Sequence, residues 1–135
     1  MATRIEDVEG IGPAYAEKLR LASIRSDADL LEKAGSAKGR SDVSAQTGLS
    51  TTLLLKWVNH VDLMRISGVG PQFAELLEAA GVDTVKELAR RNSANLAITL
   101  SAVCKDRRLS GTVPSESQIS RWIQQAKSLD AKVSY

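Results

Sequence analysis

An all-α fold, built from duplicated helical hairpin repeats packed as one compact multi-helix domain, is what the amino-acid sequence predicts. The first observation is an internal repeat. Ile5-x-x-Val8-x-Gly10-Ile11-Gly12-Pro13-x-Tyr15-Ala16-x-x-Leu19 recurs 58 residues later as Leu63-x-x-Ile66-x-Gly68-Val69-Gly70-Pro71-x-Phe73-Ala74-x-x-Leu77, and self-similarity at a fixed shift is the signature of a duplicated structural unit. The second is periodicity: apolar residues recur at helical spacing, and no credible run alternates with the period of two that a half-buried strand requires. The third is size, because 135 residues, 43% of them hydrophobic and 25% charged, can bury a core without metal or disulfide.

Taken in chain order, Pro13 and Pro71 suit the first turn of a helix, where a missing N–H costs nothing. The spacing predicts helices over about 13–22 and 71–80, the second stopped by Gly81. Thr84-x-x-Glu87 reads as a capping box, with Ser26-x-x-Asp29 as a weaker counterpart and Ser115-x-x-Gln118 as another. Ser50 caps a longer helix through Leu55, Trp57, Val61 and Met64, which runs into the first helix of the second copy. Residues 50–58 match 115–123 at a shift of 65, so the second copy carries about seven extra residues, placed around 105–112. Turn formers mark breaks at 35–39 and 110–114. The division expected is a first repeat over 1–62, a second over 63–129 and a C-terminal tail over 130–135.

Composition excludes several function classes. Cys104 is the one cysteine and His60 the one histidine, so neither an intrachain disulfide nor a structural zinc site can form within the chain, and no metal or cofactor is expected. The N-terminal residues lack the apolar core of a signal peptide, and apolar runs such as 53–55 are far too short to span a bilayer. A soluble, cytoplasmic protein is the expectation. His60 and Asp62, two apart on one helix, point to different faces. With no nucleophile, base and orienter in sight, a non-enzymatic role is expected. Cys104, beside Ala102 and Val103, reads as a buried structural thiol, and Trp57 and Trp122, at equivalent repeat positions, read as core. The formal charge is +2, divided as −1 over 1–62 and +3 over 63–135. This is a weak asymmetry for a protein that holds nucleic acid by charge alone.

The chemistry lies in the two glycine turns. Glycine permits positive φ and close backbone approach, and the turns hold Gly10-Ile11-Gly12 and Gly68-Val69-Gly70 ahead of a proline-led helix. Ile11 and Val69 should point inward, while amides at the start of the following helix face outward. Such a turn suits an anion, because exposed N–H groups and the helix dipole both favour negative charge.

On these residues the sequence resembles the helix-hairpin-helix superfamily, whose members commonly grip DNA phosphates without sequence preference. Including the Lys56-Trp57-Val58 stretch, residues 5–129 resemble a bacterial family of domains of unknown function with paired helix-hairpin-helix motifs. The resemblance implies phosphate-facing amides at Gly10, Gly12, Gly68 and Gly70. The chain departs from the DNA-binding pattern where Lys or Arg often follows the second glycine, holding Ala14 and Tyr15 in one copy and Gln72 and Phe73 in the other. Glu6, Asp7 and Glu9 surround the first turn, whereas Arg65 and Ser67 flank the second.

The nucleic-acid site expected is therefore Gly68, Val69 and Gly70 with Arg65, Arg107 and Arg108, and secondarily Gly10 and Gly12. Lys105, Arg107 and Arg108 form the densest basic cluster, which also reads as a solvated helix end. Two partner classes stay open: DNA held weakly and without sequence preference, or a protein partner or second copy meeting a module whose turns are structural.

Overall fold

The computed structural model describes residues 3–107 and 113–135. Among them the chain forms a 3₁₀ turn (Ile5–Asp7) and eight α-helices: α1 (Gly12–Arg20), α2 (Asp27–Ala34), α3 (Ala37–Thr47), α4 (Thr51–Leu63), α5 (Pro71–Ala79), α6 (Val85–Ala89), α7 (Ser93–Arg107) and α8 (Glu116–Ser128). No strand is present among these residues, only an isolated antiparallel bridge between Arg4 and Ser26. The all-α expectation holds.

Short polar side chains start the helices, as the caps in the sequence predict. Ser26, Ser50, Thr84 and Ser115 hydroxyls accept from the amides of Asp29, Leu53, Glu87 and Gln118 at 3.1–3.2 Å. Ser36 and Asn92 do the same for Gly39 and Asn95 at 3.0 Å. Each cap satisfies a donor that the helix itself leaves open and is worth about 1 kcal/mol. In two boxes the acidic partner reaches back one residue beyond the cap, Asp29 accepting from the Arg25 amide and Glu87 from the Asp83 amide, both at 3.0 Å.

α1 and α5 end alike, slightly earlier than the spacing predicts. The Ile24 amide donates to Leu19 O at 3.1 Å and the Val82 amide to Leu77 O at 2.9 Å. The residues between, Ser23 and Gly81, are left-handed with φ +63° and +88°, so both helices close in Schellman caps. Lys33 and Arg91, again 58 apart, each donate to a carbonyl of their cap: Lys33 Nζ to Ala22 O at 3.1 Å and Arg91 Nη2 to Gly81 O at 3.4 Å.

The chain divides into two compact units, Met1–Asp62 with Lys132–Tyr135, and Leu63–Ala131. Each has its own core. Leu19, Ile24, Leu30 and Leu54 are fully buried in the first, with Trp57 3% exposed beside them. In the second, α6 and α7 pack on α8 and α5 on α7, enclosing Leu77, Leu88, Leu96, Ile119 and Trp122. Cys104 is buried there, as expected.

The C-terminus departs from the tail expected over 130–135. Val133 is 8% exposed in the first core, and the Ser134 amide donates to Gly35 O at 2.8 Å. Arg40, only 5% exposed, donates to Ala34 O at 3.0 Å, Gly35 O at 2.8 Å and Ser134 O at 2.6 Å. A buried guanidinium must find acceptors, and here the last four residues supply one of them. Burial lowers the Arg40 pKa from its ordinary value, an effect partly offset by attraction to Tyr135.

Candidate functional site

Both glycine turns have the same scaffold within their own unit. The aliphatic residue between the glycines points inward: Ile11 is 3% and Val69 4% exposed, and their amides bond back to Val8 O and Ile66 O at 3.1 and 3.0 Å. Val69 is therefore an anchor of the turn, placed in the core. The first glycine of each turn is left-handed, Gly10 at φ +87° and Gly68 at +96°. A tryptophan backs it. A Cβ on Gly10 would lie 3.6 Å from Trp57 Nε1, and one on Gly68 would lie 3.2 Å from Trp122 Nε1. Tyr15 and Phe73 cover the two indoles, with ring centroids 5.1 Å apart in both units and interplanar angles of 62° and 55°.

The second glycines differ. Gly12 is left-handed, φ +67°, and opens α1. Gly70 has φ −90° and ψ −172° and caps α5 without any side-chain bond. Gly10 and Gly68 are exposed, Gly12 and Gly70 half-buried. Among the described residues none accepts from the amides of Gly68 or Gly70, and the first bond of α5 is Ala74 N to Gly70 O at 2.9 Å. The amides of Gln72 and Phe73 precede that bond, so the positive end of a nine-residue helix opens at this turn. The turn is held from outside the repeat motif by Gln125 on α8, which accepts from Ser67 N at 3.0 Å and donates to Ser67 O at 3.2 Å. Sequence reasoning missed Gln125. The signal available was its place three residues after Trp122, on the same stripe of α8.

Charge distinguishes the turns. In the first, Glu6 pairs with Arg20 and Asp7 with Arg4 at 3.1 Å, while Glu9 is exposed. Glu9 thus stands beside the first turn as an acid that neither of these ion pairs compensates. Around the second turn, Met64, Arg65 and Ser67 stand where the first has Glu6, Asp7 and Glu9, and Arg65 is half-buried.

Arg107 closes α7, and Arg108 falls outside the described residues. Lys105 and Asp106 line an open groove of about 630 Å³ with Glu116, at the start of α8. The Gly68 turn is held at Gln125, nine residues further along α8, or about 14 Å at the helical rise. Two acids, Asp106 and Glu116, share the groove with Lys105. The expected contribution of Arg107 and Arg108 to the site at the turn lies outside the described side chains.

Among the described residues, no three or more His, Cys, Asp or Glu side chains gather in a group that could hold a metal, and no helix is long and apolar enough to cross a membrane. The model of a family described as Domain of unknown function (DUF4332) matches residues 9–129, and the chain belongs to that family. No curated protein and no solved structure matches it.

Proposed function

We propose that this member of the DUF4332 family is a non-enzymatic binding module whose glycine turns are helix-hairpin-helix motifs, the second holding a nucleic-acid phosphate without sequence preference. One observation carries the reading: the amides of Gly68 and Gly70 lie at the open end of α5 with no acceptor among the described residues. An anion there meets backbone donors and the helix dipole together. Arg65 supplies charge beside the turn. Arg107 and Arg108 are proposed to add charge to the same reading. The acids around Gly10 and Gly12 leave the first turn a structural role. A cytoplasmic location accords with this reading.

Few phosphates are neutralised, so the affinity for a random duplex should be no better than about 10⁻⁴ to 10⁻⁶ M near physiological salt, with a shallow salt slope. Fluorescence polarisation with a duplex and a single strand at two salt concentrations checks this, and no binding at low salt overturns it.

A second reading rests on α7. Ile98 is 71% exposed and lines the groove with Ala94, Ala97 and Ala102, an apolar strip that would suit a protein partner or a second copy. Size-exclusion chromatography with light scattering separates self-association from a monomer.

A further inference from the structure

We infer that the indole N–H of Trp122 is a ligand-contacting donor of the second turn, joining the amides of Gly68 and Gly70 in holding one oxyanion of the phosphodiester type. This rests on the reading of the same turn proposed above.

Trp122 is 2% exposed, and a buried indole N–H ordinarily finds an acceptor. Among the described residues this one has none. What the nitrogen borders is the turn. A Cβ on Gly68 would come 3.2 Å from Nε1 and 4.0 Å from Cδ1, so the ring edge that carries the proton lies against the glycine whose amide is also open. Glycine at 68 thereby does two things: it permits φ +96°, and it lets the indole edge approach the turn where a Cβ would crowd it.

The ring is held in place. Phe73 packs on it at 5.1 Å, and Gln125, one turn further along α8, clamps both main-chain polar groups of Ser67. Two α8 side chains thus meet the same turn. Gln125 spends its hydrogen bonds on the backbone, and Trp122 keeps its donor unused. Trp57 is in the same position against Gly10, 3% exposed and 3.6 Å from the missing Cβ, with no acceptor among the described residues. Recurrence in both units argues against an accident of packing. Because Glu6, Asp7 and Glu9 flank Gly10, the anion belongs to Trp122, and Trp57 serves as an internal control.

The chain has two tryptophans, so its ¹H–¹⁵N spectrum carries two side-chain indole signals, assigned with Trp57→Phe. The ¹⁵N-labelled chain is titrated with a random duplex, a single strand of the same length and inorganic phosphate. The expected result is that the Trp122 indole proton moves downfield together with the Gly68 and Gly70 amides on adding duplex, while the Trp57 signal stays. Trp122→Phe, which keeps a ring against Phe73, should weaken duplex binding about tenfold, the scale of one hydrogen bond to a charged acceptor. If that variant does not fold, the spectrum of the unaltered chain decides. Movement of the glycine amides with a still Trp122 indole overturns the inference and leaves the functional reading standing. Movement of all three with phosphate alone keeps the oxyanion site and removes nucleic acid as its source. No movement with any probe overturns both.

Discussion

Ser23 and Gly81 stand 58 residues apart in the same left-handed helix cap, one a serine at φ +63° and the other a glycine at φ +88°. The hydrogen bonds that close the two caps match within about 0.2 Å. The two caps therefore share a backbone conformation although the residue type differs, and Ser23 bears the cost of a side chain in that region.

Exchanging the two residues should separate strain from context. Ser23→Gly should stabilise the chain by about 0.5 kcal/mol, and Gly81→Ser should destabilise it by about 1 kcal/mol, since relief of left-handed strain outweighs the extra freedom of glycine in the unfolded chain. Urea unfolding measures both. Equal and negligible effects would mean that the caps do not feel the side chain.

The two glycines of the second turn should respond differently to alanine. Gly68→Ala meets both a positive φ and Trp122 Nε1 at 3.2 Å, and should cost about 1–3 kcal/mol. Gly70 has a negative φ and nothing within 4 Å of a Cβ, so Gly70→Ala should cost no more than about 1 kcal/mol, the loss of a good cap residue. A reversed order in denaturant midpoints contradicts this account of the turn.

Arg40 ties the C-terminus to the first unit through Ser134 O. Replacing it with methionine leaves the Ala34 carbonyl without that donor and frees the last residues, at an expected cost of about 2–4 kcal/mol. Carboxypeptidase should then remove Tyr135 and Ser134 faster than from the unaltered chain. Unchanged digestion would show that Val133 and the Ser134 amide bond to Gly35 O hold the segment without Arg40.

Acidity offers a fourth test. Burial first, then the charges of Glu87 and Glu78, raise the Asp83 carboxyl above its ordinary 3.8. The folded chain therefore binds this proton more tightly than the unfolded one, and stability contributed here falls as pH rises from 3.8 through the raised value. Asp83→Asn should accordingly be more stable than the unaltered chain at neutral pH, with the advantage fading below 3.8. A difference independent of pH would trace the effect to something other than charge.

Much of the fold was legible because its determinants are local. Ser26, Ser50, Thr84 and Ser115 cap helices through bonds that span three residues, and a pattern of that length can be read directly. Gly81 stops α5 for the same reason. The caps supplied by Ser36 and Asn92 follow the same rule, and the polar residue before each helix is the signal that was there to read. The site was less legible. Gly68 and Gly70 were marked by their spacing, but which of their neighbours were donors, anchors or clamps depended on residues from α8.

The sequence by itself determined the repeated spacing, the helical class, the caps and the inward aliphatic residue of each turn, because periodicity, capping and glycine chirality act over a few residues. Only the tertiary structure decided that Gln125 would hold Ser67 across 58 positions, that Arg40 would reach Ser134 across 94, and that the Trp122 indole would border Gly68. Those relationships join segments that no local preference connects, and they follow from which buried polar groups could find partners once the apolar faces had packed.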